Sequence, residues 1–156
     1  MKLKIGIVNY GVGNIKSIYN IFKYFGLDIF IIDNPLKLEQ CDKIILPGVG
    51  SFKHCMNLII KKNFYDEINN FVNKKKPILG ICVGMQLLTN SSTEEGYSKG
   101  FGFIDSKVEK FNFEEIGDNS IPHVGFNSIF FEGKNRLFKD IKEGSSFYFT
   151  HSYRIL

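Results

Sequence analysis

Pro77-Ile78-Leu79-Gly80-Ile81-Cys82-Val83-Gly84-Met85-Gln86-Leu87-Leu88 runs from a short apolar strand directly into a helical pattern. The junction Gly80-Ile81-Cys82-Val83-Gly84 is the cysteine form of G-x-S-x-G, in which a nucleophile sits on a sharp strand-to-helix turn. Glycines on both sides are needed because such a turn brings the strand and helix backbones close together. The turn exposes its side chain at the carboxyl edge of a sheet, where open α/β folds place their ligands. It also sets the sulfur at a helix N-terminus, whose dipole favours thiolate, and aims the Val83 N–H at a developing oxyanion.

The segments before this turn have the same style. Lys4 to Tyr10 reads as a buried strand, followed by Gly11-Val12-Gly13 and Asn14, a good N-cap. Ile15, Ile18, Phe22 and Phe25 fall on one helical face, and Gly26 supplies a stop. Ile29–Ile32 is a second strand closed by Asn34-Pro35, and Lys43–Leu46 a third that ends at Pro47-Gly48-Val49-Gly50. One or two helices follow, with Phe64, Ile68, Phe71 and Val72 as an apolar stripe. Short apolar strands alternating with amphipathic helices imply a largely parallel sheet covered on both faces. Beyond residue 100, Lys107–Phe113, Ser128–Glu132 and Ser146–Tyr153 read as strands of an antiparallel or mixed extension of that sheet. No linker or repeat interrupts residues 1–156, so a single domain is expected.

Bulk properties exclude several classes. The 156 residues are 44% hydrophobic, enough for a real core, and carry a net charge of +4. The densest basic run, Lys74-Lys75-Lys76, reads as a solvated helix end, and no stripe of Arg and aromatic residues speaks for nucleic acid. Three cysteines, Cys41, Cys55 and Cys82, with no CxxC spacing disfavour a disulfide framework and a zinc site. Without a signal-peptide pattern or a membrane-length apolar run, a reducing cytoplasmic setting is expected. Cys41 and Cys55 read as buried structural cysteines, which leaves Cys82 as the nucleophile.

Two glycine-rich turns need separate readings. Pro47-Gly48-Val49-Gly50 follows an apolar strand that a parallel sheet can bring beside Cys82. Its backbone N–H groups can face a substrate with no Cβ in the way, and one such oxyanion donor is worth about 10²–10³ in rate. Gly11-Val12-Gly13-Asn14 imitates the start of a dinucleotide fingerprint, but Lys16 stands where the third glycine belongs and Asp33 is poorly placed for a ribose. It reads as a plain turn. His54, His123 and His151 are each a formal candidate for the base that a thiol needs, and the default for each is a structural or substrate-contacting role.

Taken with Asn9–Asn14, Leu46–Gly50, Pro122–Asn127 and His151-Ser152-Tyr153, in that order, the Gly80–Leu88 segment resembles class I glutamine amidotransferases. In detail it is similar to the glutaminase subunits of imidazole glycerol phosphate synthase. The resemblance spans essentially the whole chain. It implies a three-layer, flavodoxin-like α/β fold and hydrolysis of glutamine to glutamate and ammonia. Cys82 would form the thioester, and the backbone at Gly48, Val49, Gly50 and Val83 would hold the oxyanion. Gln86 and Glu94 would fix the glutamine, with Glu95 the neighbouring alternative to Glu94. His151, Ser152 and Tyr153 would contact its α-amino and carboxylate end. The resemblance implies no cofactor and a heterodimer with a HisF-type (β/α)₈-barrel cyclase, which receives the ammonia for histidine biosynthesis.

Two further expectations come from the same resemblance. The family pattern continues past the His-Ser-Tyr strand into a Phe-His-Pro-Glu-type segment that supplies a base histidine and its orienting glutamate. No such segment lies within these 156 residues. The expectation for the chain as given is therefore a nucleophile without its base, and a family fold short of its last strands and helix. Val83 and Phe126, where Leu and Trp are commoner, also resemble paralogues that supply ammonia for sugar amidination. A catalytically impaired interaction module with the same fold is the alternative from outside enzymology.

Overall fold

The structure, a computed structural model, describes residues 3–112, 114, 117, 120–133 and 136–156. It contains two compact units, Met1–Glu109 with Ile155–Leu156, and Lys110–Arg154.

The first unit is built on a parallel four-stranded sheet. Its strands β1 (Lys4–Val8), β2 (Asp28–Ile32), β3 (Lys43–Leu46) and β4 (Ile78–Gly80) lie in the order β2-β1-β3-β4. Alternate side chains go to opposite faces. Ile5 and Ile7 of β1, Ile29 of β2 and Ile45 of β3 form one buried face, and Ile15, Ile18, Tyr19 and Phe22 of helix α1 (Ile15–Tyr24) pack on it. Val8, Ile44 and Leu46 are equally buried on the other side. Phe52, Cys55, Met56 and Ile59 of α2 (Phe52–Lys61), with Phe64, Ile68 and Phe71 of α3 (Phe64–Asn73), complete the core.

The caps are those that the residue types favour. Asn14 accepts from the Ser17 N–H at the start of α1, and Ser51 accepts from the His54 N–H at the start of α2. Asn34 and Pro35, expected only to close β2, instead start a 3-10 helix over Pro35–Gln40. Phe25 falls just past α1 and is 68% exposed, so it does not belong to the apolar stripe. The helix stops one residue short of it.

After β4 the chain makes a single helical turn, α4 (Val83–Gln86), and then two short strands, β5 (Thr89–Ser92) and β6 (Ser98–Lys99). The longer helix expected through Leu87 and Leu88 does not form. Both residues are buried, and their carbonyls accept from Phe101, Phe103 and Ile104, which leaves them unavailable to continue a helix. β5 pairs antiparallel with β6 and parallel with β7 (Ile104–Lys110). Leu156 returns to β7, its N–H donating to the Lys107 carbonyl at 3.1 Å. These strands form a second sheet and do not extend the first, which corrects the sequence expectation. Phe113, the last residue of the expected strand, lies outside the described residues.

The second unit carries a two-stranded antiparallel ribbon, β8 (His123–Ser128) with β9 (Ser146–His151), in unbroken register from His123↔His151 to Ser128↔Ser146. The expected strand at Ser128–Glu132 therefore lies earlier, at His123–Ser128. Its alternation is hidden in sequence because one face is His123, Gly125 and Asn127, which supply no hydrophobic signal. Ser152 breaks the expected Ser146–Tyr153 strand, and β10 (Tyr153–Ile155) follows it.

Glycine is forced where the first sheet meets the turn after β4. A Cβ on Gly84 would stand 1.9 Å from the Leu46 carbonyl oxygen, and one on Gly80 would stand 2.4 Å from the Met85 Cα. A Cβ on Gly48 would meet the Gly84 nitrogen at 2.5 Å. Three glycines thus interlock the ends of β3 and β4, and each faces backbone that cannot swing aside.

This packing can be tested by stability. Gly84→Ala should cost about 2–4 kcal/mol by overpacking against fixed backbone. Gly26→Ala, in open space at φ +69°, should cost only about 1 kcal/mol for its backbone conformation. Urea unfolding midpoints compare the two, and equal costs would contradict the interlock. Separately, burial pushes the Cys41 and Cys55 thiols up and holds the Tyr10 hydroxyl far above its usual range. All three keep their protons to higher pH in the folded state than in the unfolded chain. That stability is complete below the unfolded thiol value of about 8.5 and is lost as pH rises through the folded values. The urea midpoint should therefore fall above about pH 8.5; a midpoint that stays level to about pH 10.5 would contradict it.

Candidate active site

The strand order places β1 and β3 side by side while their following connections diverge, a topological switch point of the kind where open α/β sheets bind ligands. An open cleft of about 610 Å³ lies there, lined by Gly13, Asn14, Ser17, Ile18, Pro47, Gly48, Val49, Ile81 and Cys82. It brings together the ends of β1, β3 and β4. Cys82 and the Pro47–Gly50 loop, distant in sequence, therefore share one wall.

Cys82 is exposed and has φ +55°, ψ −124°. A non-glycine residue in that conformation costs on the order of 1–3 kcal/mol and persists only when its surroundings over-determine it. Here they do. The Ile81 N–H donates to the Leu46 carbonyl at 3.0 Å, the Gly84 N–H to the Ile81 carbonyl at 3.0 Å, and the Met85 N–H to the Cys82 carbonyl at 3.0 Å. The residues on both sides are thus tied down, and the thiol has one direction left, into the cleft. The Val83 N–H makes no hydrogen bond among the described residues.

The helix behind Cys82 is shorter than the sequence pattern suggests. A dipole from a full helix was expected there, and α4 has only four residues. What an anion meets is the local N–H of the first turn, because the macrodipole needs many aligned peptides.

The Pro47–Gly50 loop is held from the core side. Tyr10, fully buried, donates its hydroxyl to the Pro47 carbonyl at 2.7 Å. Cys55, also fully buried, donates its thiol to the Val49 carbonyl at 3.5 Å. Gly48, Val49 and Gly50 make no N–H hydrogen bond of their own among the described residues. Sequence reasoning missed both tethers. A buried phenol just past β1 was a usable signal, since such a hydroxyl needs a partner; Cys55 offered none beyond its place on the buried face of α2.

Of the two acidic candidates, Glu94 is half-buried and accepts from the Phe52 N–H at 2.7 Å. Glu95 is exposed and accepts from the Ser51 hydroxyl at 3.0 Å. Both carboxylates sit at the N-terminus of α2, where free N–H groups favour negative charge, directly after the Pro47–Gly50 loop. Gln86 is half-buried in α4, its carbonyl accepting from the Thr89 hydroxyl at 2.8 Å. Asp33 is engaged by the Asn9 amide at 2.6 Å, so it offers no carboxylate dedicated to a ribose.

The second unit holds His123 and His151. His151 Nδ1 is 2.9 Å from the Tyr153 carbonyl, which can only accept, so that nitrogen carries the proton. In the neutral ring Nε2 is then an acceptor, and it takes the proton of His123 Nδ1 at 3.1 Å. His123 Nε2 in turn accepts from the Asn127 amide. All four ring nitrogens are therefore committed. His54 is exposed on α2. Among the described residues no group of three or more His, Cys, Asp or Glu can hold a metal ion.

Comparison with known proteins accords with this geometry. The class-I glutamine amidotransferase family model matches residues 6–155. The HisH subunit of imidazole glycerol phosphate synthase of Leptospira borgpetersenii is 44% identical over 153 residues, 97% of this chain and 74% of its own length. The Helicobacter hepaticus HisH subunit is 42% identical, over 99% of this chain and 76% of its own. Among solved structures, a glutamine amidotransferase aligns with a TM-score of 0.65 at 15% identity, over 95% of this chain and 70% of its own. The structure of PurLQS from Thermotoga maritima aligns with a TM-score of 0.66 at 20% identity, over 100% of this chain and 70% of the matched one. The strained Cys82 turn, the parallel sheet behind it and the match along residues 6–155 agree: the chain belongs to the class-I glutamine amidotransferases, and within them to the HisH subunits of imidazole glycerol phosphate synthase.

Proposed function

We propose that Cys82 attacks the side-chain amide of glutamine, forming a γ-glutamyl thioester and releasing ammonia, and that water then frees glutamate. The observation that carries this reading is the conformation of Cys82, exposed and held at φ +55° between β4 and α4. The tetrahedral oxyanion is received by N–H groups of Gly48, Val49, Gly50 and Val83, which have no other hydrogen bond among the described residues. Each such donor is worth about 3 kcal/mol of transition-state stabilisation.

Gln86 and Glu94 are assigned to positioning the glutamine. Glu94 acts from its seat on the first turn of α2, with one carboxylate oxygen already held by Phe52. His151, Ser152 and Tyr153 are assigned to the α-amino and carboxylate end. The ring nitrogens of His151 are both engaged. For the same reason neither His123 nor His151 is the base that takes the Cys82 proton, since no lone pair is free for it.

We further propose that residues 1–156 act as one amidotransferase domain, as the continuous family match across 6–155 supports. The ammonia passes to a HisF-type barrel protein in a heterodimer, and the protein works in the cytoplasm, where its three free thiols stay reduced. What supports the partner is the relationship to HisH subunits, which by name are parts of a synthase.

Ammonia release from glutamine tests the assignment, measured on the chain mixed with a HisF-type barrel. Release should require Cys82, with Cys82→Ser lower by about 10³-fold or more, since a nucleophile and its surroundings act as a unit. Equal inactivity of the two proteins with the barrel present would remove the enzyme reading for this chain.

A further inference from the structure

We propose that Tyr10 and Cys55 are positioning residues for acyl transfer, whose O–H and S–H set the direction of the N–H groups that meet the oxyanion. This deepens the functional reading above and rests on it. Both side chains lie behind the Pro47–Gly50 loop, fully buried, and neither belongs to the wall of the cleft.

The geometry works through the planarity of the peptide unit. In a trans peptide the carbonyl of one residue and the N–H of the next point in opposite directions. The one cis bond among the described residues is Ile121-Pro122, so every peptide of this loop is trans. Tyr10 draws the Pro47 carbonyl toward the core at 2.7 Å, which turns the Gly48 N–H the other way. Cys55 draws the Val49 carbonyl inward at 3.5 Å, which turns the Gly50 N–H the other way. The peptide carrying the Val49 N–H is bracketed between these two fixed points. Without the tethers, Gly48 and Gly50 would leave the loop free to rotate, because glycine offers no steric preference to hold it.

The two donors are suited to this task. Burial keeps both protonated, so each remains a donor at neutral pH. Tyr10 lies two residues past the end of β1, and Cys55 comes from α2, on the same face as Phe52, Met56 and Ile59. Cys55 also lies beside Tyr10. Cys55 therefore acts as a hydrogen-bond donor and not as a spare nucleophile.

The test separates acylation, which develops an oxyanion, from alkylation, which does not. In acylation by the γ-p-nitrophenyl ester of glutamic acid, the Cys82 thiolate forms the S–C bond, the ester C–O bond breaks, and p-nitrophenolate leaves. A good leaving group makes this step independent of a general acid. Iodoacetamide reads the same thiolate with no carbonyl intermediate. Single-turnover rates of both reactions are compared for wild type, Tyr10→Phe, Cys55→Ala and Cys55→Ser, with Cys82→Ser as the blank. We expect Cys55→Ala and Tyr10→Phe each to slow acylation about 10-fold, somewhat less than the loss of an oxyanion donor outright. Alkylation should stay within about 2-fold of wild type, and Cys55→Ser, which restores a donor, should recover most of the acylation rate.

Unchanged acylation in both single variants, or equal slowing of acylation and alkylation, overturns the proposal while leaving the Cys82 reading intact. Wild-type acylation no faster than the Cys82→Ser blank overturns both. Should Tyr10→Phe fail to fold, the Cys55→Ala and Cys55→Ser pair decides alone.

Discussion

The carbonyl oxygen of Leu46 sits where a side chain on Gly84 would be, and most of the site depends on that closeness. It lies 1.9 Å from an ideal Cβ on Gly84, and the same carbonyl accepts the Ile81 N–H at 3.0 Å. The end of β3 is thereby fastened to the turn after β4 from two directions. Gly48 completes the interlock from the loop that follows β3. With so little room, the chain can reverse only through an unfavourable backbone conformation at one residue, and that residue is Cys82. The cost of a positive φ at a non-glycine position, on the order of 1–3 kcal/mol, is offset by the interlock of β3, its following loop and the turn after β4. The exposure of Cys82 at the cleft is thus a consequence of sheet geometry.

Much of this was legible in the sequence because it rests on short-range steric rules. Gly80 and Gly84 flank Cys82 at a spacing that only a tight turn explains, and Lys43–Leu46 was readable as a strand to the residue. Asn14 and Gly26 marked helix ends by their ordinary chemistry. What escaped were features decided by long-range partners. Leu87 and Leu88 look helical, but hydrogen bonds to Phe101, Phe103 and Ile104 claim their carbonyls, so α4 ends at Gln86. The strand at His123–Ser128 shows no apolar alternation on its histidine face, and only pairing with β9 defines it.

In the site, Cys82 and the Pro47–Gly50 loop followed from their positions after neighbouring strands. The tethers from Tyr10 and Cys55 did not, because nothing local ties residue 10 to 47 or residue 55 to 49. The commitment of His123 and His151 to each other was equally hidden. It is set by which atoms can only accept, beginning with the Tyr153 carbonyl, and it propagates one proton at a time to Asn127. Two histidines that composition alone offers as bases are thereby occupied in holding the β8–β9 ribbon together.

The central claim is that the fold presents one cysteine, shaped for a glutamine side chain, while shielding the other two. Covalent labelling by a glutamine-derived chloroketone, followed by peptide mapping, addresses it most directly. The account predicts a single adduct on Cys82, slowed by added L-glutamine and not by L-asparagine, with Cys41 and Cys55 untouched in the folded protein. Labelling spread over the three cysteines, or an adduct on Cys82 indifferent to glutamine, would contradict it.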